Sequence, residues 1–288
     1  MTQASVVDLH CHSTASDGAL APAAVVERAA GNGVRVLALT DHDTVAGLAS
    51  ARAAARAHGI VLVDGLELSV RWGGHTLHIV GLRVDPEADV LREVLARQLA
   101  AREDRAERIA AKLRRAGVEA PLEGARREAG EGAIGRVHFA RHLVACGVVD
   151  SLQAAFRRYL RRGQRAHVAC RWVSLEEGVA AIRAAGGQAV LAHPTKYGFT
   201  RTLLRRACEA FHGAGGEAIE VITGGGGPGD VDAARTRAEQ YGLLASVGSD
   251  FHDPERRWND LGRLRPLPSS LTPVWQSWPA GCHPEVVS

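Results

Sequence analysis

Short apolar runs alternate along the chain with longer, alanine-rich amphipathic segments. Seven of the runs have the length and the β-branched content of buried strands. They are Val6–His10, Val36–Thr40, Ile60–Val63, Thr76–Gly81, Ala189–Ala192, Ala218–Ile222 and Leu244–Gly248. The helical pattern predicts helices at Pro22–Asn32, Thr44–His58, Leu175–Ala185, Thr202–Ala214 and Val231–Tyr241. Strands separated by helices predict parallel crossover connections, in either an open doubly wound sheet or a closed barrel.

The alternation stops between the fourth and fifth predicted strands. Residues 88–167 show helical patterns and no strand, so we interpret them as a helical insertion in a barrel formed by residues 1–87 and 168–288. The insertion has 17 Lys and Arg against 10 Asp and Glu, a net charge of +7, and the rest of the chain carries −4. Its basic residues include Arg157, Arg158, Arg161, Arg162 and Arg165. They are either an ordinary solvated helix surface or part of a lid that attracts a phosphorylated substrate.

Composition limits the class of protein. A chain of 288 residues with 46% hydrophobic residues is expected to form one large α/β domain, with or without an insertion. The net charge of +3 is too small to indicate nucleic-acid binding by itself. Five cysteines without a C-x-x-C pattern indicate neither a disulfide framework nor a zinc ribbon, which favours the cytoplasm. We expect no signal peptide and no membrane span, because the apolar runs are too short.

Metal-binding side chains flank the first and last predicted strands. His10 and His12 end the first strand, and Asp250 and His252 follow the last one. Side chains two residues apart on an extended strand point in the same direction, so each pair presents two ligand atoms together. Cys11 then points to the opposite side and is expected in the core. Imidazole and carboxylate together suit Zn, Mn or Fe, and such ions generate hydroxide at neutral pH.

Three further positions allow two interpretations each. His42 follows the second strand, beside Asp43 and Thr44, and the alternative is a helix N-cap with a surface histidine. Glu67 lies in an apolar stretch, where a carboxylate must be paired or bound to a metal. His78 is flanked by apolar residues and is either a ligand or an ordinary core histidine.

The imidazole and carboxylate groups fall repeatedly at or beyond the ends of predicted strands. In a barrel of parallel strands these ends meet at one rim. The candidate metal ligands are His10, His12, Asp17, His42, Glu67, His78, His193, Asp250 and His252. A catalytic ion takes about three protein ligands, so nine candidates predict two or three divalent ions. The same convergence favours a barrel over an open sheet.

Seven motifs extend this pattern over almost the whole chain, from Asp8 to about Leu264. They are DLHCHS from Asp8, SDG from Ser16, LTDHDT from Leu39, TLHIVGL from Thr76, RVHFARHLV from Arg136, AHP from Ala192 and GSDFH from Gly248. In these motifs the chain resembles the polymerase and histidinol phosphatase (PHP) superfamily. The resemblance implies an α/β fold, a distorted TIM-like (β/α)7 barrel with a helical insertion, and a trinuclear site often filled by Mn, with Zn or Fe as alternatives.

The resemblance also implies how the ligands divide among the ions. One ion would take His10, His12, Glu67 and Asp250. A second would share Glu67 and take His78 and His193, and a third would take Asp17, His42 and His252. The residues implied at the catalytic centre are His10, His12, Glu67, His193 and Asp250.

The subgroup with the closest resemblance contains nucleoside 3′,5′-bisphosphate phosphatases and ribonuclease AM. It implies a phosphoesterase that removes the 3′-phosphate of substrates such as 3′-phosphoadenosine 5′-phosphate through attack by a metal-bound hydroxide. Arg136 matches a phosphate-binding arginine of the family. Lys196 stands where the subgroup often has arginine, which keeps the charge but loses the bidentate geometry. Tyr197 is expected either to stack on a base or to line the loop.

Other functions stay open at this point. The main alternative is a 5′→3′ exoribonuclease that acts on short 5′-phosphorylated RNA. A histidinol phosphatase is a weaker alternative because of the match around Arg136, and a non-catalytic metal- or nucleotide-binding module is a different class. The expected partner is a small nucleotide or short RNA, with no membrane and no obligate protein partner.

Overall fold

Seven strands form one sheet in the order of the chain. The computed structural model describes residues 5–256 and 259–279. The strands are β1 Val7–Asp8, β2 Val36–Leu39, β3 Val61–Trp72, β4 His75–Leu82, β5 Gln188–Leu191, β6 Ala218–Thr223 and β7 Leu244–Gly248. The backbone N–H of Leu9 donates to the Val247 carbonyl at 3.0 Å, which brings the last strand beside the first. The sheet is therefore a nearly closed barrel, and the predicted distorted (β/α)7 barrel is confirmed.

The β3–β4 connection differs from the expected crossover. β3 continues through Glu67 to Trp72, and Gly73 and Gly74 turn the chain directly into β4. Both glycines have positive φ angles, 51° and 78°, as a two-residue hairpin requires. β4 is consequently antiparallel to both β3 and β5, and the other neighbouring strands are parallel. Glu67 lies within its strand rather than beyond its end, so the expectation of strand-end positions is wrong there.

Helices cover the barrel and form the insertion. Those between or after barrel strands are α1 Pro22–Gly31, α2 Leu48–His58, α7 Leu175–Ala184, α8 Arg201–Gly213 and α9 Pro228–Tyr241. The expected start of α2 at Thr44 is wrong, because residues 43–47 form a loop and Gly47 precedes the first turn. Gly59 and Gly242 end α2 and α9 in the left-handed conformation that glycine adopts at low cost.

The insertion between β4 and β5 consists of helices with their own apolar cluster. It contains α3 Asp89–Arg115, α4 Pro121–Ala129, α5 Arg136–Ala145, α6 Leu152–Ala155 and a π-helix at Phe156–Leu160. Leu113, Phe139, Leu143 and Leu160 are fully buried within this cluster, apart from the main core around the barrel strands. The helical insertion of the predicted fold is thus present, and its boundaries at 88 and 167 stay a prediction.

Two further properties of the described residues concern membrane-spanning helices and cysteines. None of the helices within residues 5–256 and 259–279 has both the length and the apolar character needed to cross a bilayer. Cys11, Cys146, Cys170 and Cys208 are all free thiols.

Candidate metal centre

The first ligand pair lies on extended backbone just after β1. His10 and His12 are fully buried, and their Nε2 atoms lie 3.1 Å apart. Cys11 points the other way, and its Sγ donates to the Ala38 carbonyl at 3.2 Å, as its place in the core predicts. Burial and the nearby imidazoles of His252 and His42 lower the pKa of His12 to about 3. His12 is therefore neutral, which is the form that binds metal ions.

Glu67 occupies the middle of the site. Its Oε1 lies 2.9 Å from His193 Nε2 and 3.0 Å from His78 Nδ1. Its Oε2 lies 2.8 Å from His42 Nδ1 and 3.4 Å from His12 Nε2. Burial alone would raise the pKa of Glu67, but the surrounding imidazoles hold it well below its usual value. His10 Nε2 also lies 3.4 Å from Oε1. A buried, ionised carboxylate with both oxygens shared among five imidazoles has the geometry of a bridging ligand.

Asp250 and Asp17 extend this set on two sides. Asp250 Oδ1 lies 3.4 Å from His12 Nε2, and its Oδ2 accepts a hydrogen bond from Lys196 Nζ at 3.0 Å. Asp17 Oδ1 lies 3.3 Å from His252 Nε2, and its Oδ2 lies 3.9 Å from His42 Nε2. The structure therefore brings all nine candidate ligands into one cluster, which we call the metal cluster.

Donor atoms in the metal cluster form three groups, each with all its atoms within 4.8 Å of one another. The groups are His10, His12 and Glu67; His42, Glu67 and His78; and His12, Asp17, His42 and His252. The group of His10, His12 and Glu67 lies within the set that the resemblance implies for the first ion. The group with Asp17, His42 and His252 contains the whole set implied for the third ion, together with His12. The second group differs from expectation, because it holds His42 in place of His193, although His193 also touches Glu67.

Unsatisfied polar atoms show that the metal cluster fits cations. Among the described residues, several of its buried atoms lack a hydrogen-bond partner: His12 Nδ1, Asp17 Oδ1, His42 Nδ1, Glu67 Oε2 and His193 Nδ1. His42 Nδ1 and Glu67 Oε2 belong to this set although they lie only 2.8 Å apart. A buried unpaired polar group is costly, and a shared divalent ion removes that cost. The chain thus carries a metal-binding cluster of His, Glu and Asp.

Backbone strain coincides with this cluster. His193, Asp250 and Asp43 have φ angles of 28°, 53° and 53°, in the left-handed region that favours glycine. Such a residue costs on the order of 1–3 kcal/mol and persists only where the surroundings fix it. Two of these strained residues, His193 and Asp250, are predicted ligands, and the third, Asp43, follows the predicted ligand His42.

Glu220 is a functional residue that the sequence analysis missed. Its Oε1 lies 2.8 Å from His10 Nδ1, and its Oε2 accepts the backbone N–H of His193 at 2.6 Å. A bulge in β6 between Glu220 and Ile222 accompanies this position. A carboxylate behind a ligating histidine fixes the tautomer and the ring orientation. The available signal was the one used for Glu67, an acidic residue inside an apolar run.

Two aspartates beside His42 are structural anchors. Asp41 accepts hydrogen bonds from Ser13 Oγ and Ser16 Oγ, each at 2.7 Å, and so shapes the loop that carries Asp17. Asp43 accepts from Ser69 Oγ, Gln98 Nε2 and Arg102 Nε, each at 2.9 Å. The alternative of an N-cap beside a surface histidine is therefore wrong: Gly47 is the N-cap of α2, Asp43 is buried against other partners, and the side chain of His42 is 14% exposed.

The three candidate substrate contacts differ in their surroundings. Lys196 is 38% exposed and pairs with Asp250 at the edge of the metal cluster. The Tyr197 hydroxyl donates to the Ala192 carbonyl at 3.0 Å and accepts the His78 N–H at 2.9 Å, so it holds β4 to β5. Arg136 begins α5 and places its guanidinium 5.7 Å from the centre of the Phe156 ring. Their roles towards a substrate stay predictions.

Comparison with known proteins agrees with this geometry. Residues 8–128 match the PHP domain. A Chromobacterium violaceum protein named 3′,5′-nucleoside bisphosphate phosphatase is 44% identical over 94% of this chain and 95% of the relative. An Escherichia coli protein named 5′-3′ exoribonuclease Rnm is 42% identical over 96% and 94% of the two chains.

A solved structure supports the fold. It comes from Bifidobacterium adolescentis and is described as a candidate metal-dependent phosphoesterase. It superposes with a TM-score of 0.79 at 28% identity and covers 95% of this chain and 94% of its own. With the barrel, the metal cluster and these relatives in agreement, the chain belongs to the PHP family of phosphoesterases.

Proposed function

We propose that this protein is a metal-dependent phosphatase that removes the 3′-phosphate of nucleoside 3′,5′-bisphosphates, such as 3′-phosphoadenosine 5′-phosphate. The observation that carries the proposal is the convergence of nine nitrogen- and oxygen-bearing side chains, with Glu67 in their middle and with buried donor atoms that lack partners. The name of the Chromobacterium violaceum relative supports the choice of substrate.

Two or three divalent ions are the proposed cofactors, with Mn preferred and Zn or Fe as alternatives. The mixed imidazole and carboxylate donors suit these metals. His10, His12, Glu67 and Asp250 would hold one ion, Glu67 with His78 and His193 a second, and Asp17, His42 and His252 a third. Divalent ions bound at such a site lower the pKa of water and neutralise phosphoryl oxygens.

The protein's own groups orient the reactants. Glu220 accepts a hydrogen bond from His10 Nδ1–H, which leaves the Nε2 lone pair directed at the metal cluster. Arg136 and Lys196 supply positive charge for the two phosphates of the substrate. The planar guanidinium of Arg136 can donate two parallel hydrogen bonds to phosphate oxygens. We propose direct transfer to water without a phosphoenzyme, because Ser13 Oγ is bound to Asp41 and Cys11 points away from the site.

The insertion is proposed to form a fixed wall beside the metal cluster, with boundaries near residues 88 and 167. Arg141 Nη2 donates to the Asp17 carbonyl at 2.9 Å, and the Ala133 N–H donates to the Ala15 carbonyl at 2.9 Å. These bonds join the helical insertion to the loop that carries Asp17. We also propose a cytoplasmic location, which the four free thiols support.

The test is phosphate release from a nucleoside 3′,5′-bisphosphate with Mn, after treatment with a chelator, and after Mn is restored. We expect release only with metal and only from the 3′ position, so that the 5′-monophosphate accumulates. Histidinol phosphate is the comparison substrate for the weaker alternative. Glu67→Gln should abolish turnover, whereas Glu217→Gln, at a partly exposed carboxylate paired with Arg183, should not change it. Metal-independent turnover would refute the proposal.

A second candidate function is 5′→3′ exoribonuclease activity on short RNA. The Escherichia coli relative carries that name, and both reactions break a 3′ P–O bond next to a nucleotide with a 5′-phosphate. A 5′-phosphorylated trinucleotide distinguishes the two. Release of 5′-mononucleotides would establish this activity, and an intact trinucleotide beside good bisphosphate turnover would dismiss it.

A further inference from the structure

Five arginines of the insertion occupy one short exposed stretch. It comprises the π-helix and the turn that follows, and we call residues 157–165 the basic segment. Its exposed arginines are Arg157, Arg158, Arg161, Arg162 and Arg165. Within the described part of the chain none of them forms an ion pair, whereas Arg97, Arg108 and Arg126 of the same insertion each contact a carboxylate. Unpaired like charges repel one another, so their grouping indicates an anionic partner.

The basic segment has a defined shape. The Ala166 N–H donates to the Tyr159 carbonyl at 2.9 Å and closes the turn. Lys112 Nζ then donates to the His167 carbonyl at 2.7 Å, and Arg105 Nε donates to the Val168 carbonyl at 3.0 Å. These bonds hold the segment against α3. Its guanidinium groups are therefore presented by a folded element rather than by a loose tail.

Positive charge continues from the basic segment to the metal cluster. Lys112 and Arg105 reach the backbone of residues 167 and 168, directly after the basic segment. Arg136 at the start of α5 lies 5.7 Å from the centre of the Phe156 ring, and Arg141 of the same helix donates from Nη2 to the Asp17 carbonyl at 2.9 Å. The path from the basic segment to the metal cluster therefore runs along α5.

We propose that the basic segment binds the phosphodiester backbone of single-stranded RNA whose 5′ end lies in the metal cluster. The inference rests on the proposed cleavage of 3′ P–O bonds. Water adds to phosphorus, and the bond from phosphorus to the 3′-oxygen of the first nucleotide breaks. That nucleotide leaves with a 3′-hydroxyl and its 5′-phosphate, and the shortened chain keeps a new 5′-phosphate. Guanidinium groups beside half-buried Tyr159 and Phe156 combine the charge and the aromatic surface that single strands use.

The path favours RNA over a free mononucleotide as the ligand of the basic segment. A bisphosphate has two phosphates, which the metal cluster and Arg136 accommodate, so no charge is left for the basic segment. Each further nucleotide adds one phosphate along the path. A group of exposed arginines that α5 connects to the metal cluster therefore matches the backbone of a chain.

The experiment compares the wild type with the triple variant Arg158→Gln, Arg161→Gln and Arg162→Gln, using a 5′-phosphorylated RNA hexamer and a nucleoside 3′,5′-bisphosphate with Mn. We expect KM for the hexamer to rise about ten-fold. The slope of log kcat/KM for the hexamer against log salt concentration should become shallower by about 2, because each of the three lost phosphate contacts contributes roughly 0.7. Bisphosphate turnover should stay within about two-fold. The matched control removes the same charge from helices outside the barrel, through Arg56→Gln, Arg205→Gln and Arg206→Gln. It should leave the kinetic constants for both substrates unchanged.

Hexamer binding with the metal chelated gives a readout independent of turnover. Fluorescence anisotropy should show about ten-fold weaker binding by the triple variant than by the wild type and the control. Equal hexamer KM and binding in all three proteins would overturn the inference, as would equal losses on both substrates. A wild type that turns over the bisphosphate but neither binds nor cleaves the hexamer would overturn the inference alone. Failure to hydrolyse either substrate with Mn would instead reject the proposed function.

Discussion

Replacing Glu220 by glutamine tests how the metal cluster is held in place. Both carboxylate oxygens of Glu220 accept N–H groups, one from His10 Nδ1 at 2.8 Å and one from the backbone of His193 at 2.6 Å. An amide has a single acceptor oxygen, so its NH2 group must face one of these donors. The substitution therefore leaves one buried N–H unpaired and releases either the His10 ring or the backbone of His193.

The size of the effect follows from that loss. A buried donor without a partner costs about 1–3 kcal/mol, and substitutions behind a ligating histidine weaken metal affinity by about 10- to 100-fold. We expect Glu220→Gln to bind Mn that much more weakly, with kcat/KM restored in part by excess Mn. Titration calorimetry measures affinity and stoichiometry directly. Glu217→Gln, just before the same strand, is the matched control.

Two results would refute this reasoning. Unchanged Mn affinity in Glu220→Gln would mean that the carboxylate does not orient His10. Unchanged Mn affinity together with a lower melting temperature would mean that Glu220 stabilises the fold and does not position a ligand.

Four other predictions follow from the contacts described above. Removing metal with a chelator should lower the melting temperature, and added Mn should restore it, because ligands that bind only the folded state stabilise it. Asp43→Asn leaves buried Arg102 without its ion-pair partner and should cost about 3 kcal/mol in a denaturant titration, whereas Asp104→Asn at an exposed pair should cost little. Phe139→Ala in the core of the insertion should cost about 3–5 kcal/mol by the same measurement. Burial raises the pKa of Asp260, but hydrogen bonds from Arg28 leave it below its usual value. This pair therefore contributes about 1 kcal/mol of stability above about pH 4, near the pKa of Asp260 in the unfolded chain. The contribution is lost as the pH falls through the lower pKa of Asp260 in the folded protein. The melting temperatures of the wild type and of Asp260→Asn should therefore differ at neutral pH and become equal in acid.

Local patterns in the sequence were sufficient for an alternating α/β fold and for the set of candidate ligands. Most strands are short apolar runs, and the pairs His10 with His12 and Asp250 with His252 follow the two-residue period of extended backbone. The pattern left an open sheet and a closed barrel possible, and the convergence of polar groups and the family resemblance favoured the barrel. The family resemblance added the division of ligands among ions, which spacing alone does not provide. The structure places the nine side chains together in one metal-binding cluster.

Part of what the sequence analysis missed was visible locally, and part depends on contacts between distant residues. Residues 66–72 alternate apolar and polar side chains as a strand does, but the predicted strand ended at Val63, so its continuation and the hairpin at Gly73 were missed. Asp43 resembled a helix cap because its partner Arg102 lies 59 residues further along the chain. Glu220 gained its role only when the barrel placed it behind His10, 210 residues away.

The metal cluster draws ligands from beside the first and the last strand of the barrel. His10 and His12 follow the first strand, whereas Asp250 and His252 follow the seventh, and the ring closes when these two strands meet. During synthesis a ribosome-bound chain that has not yet released its final strand lacks two of the nine side chains. The full donor set therefore assembles late in translation, and a chain that ends before Asp250 carries seven of the nine side chains without the pair that completes the cluster.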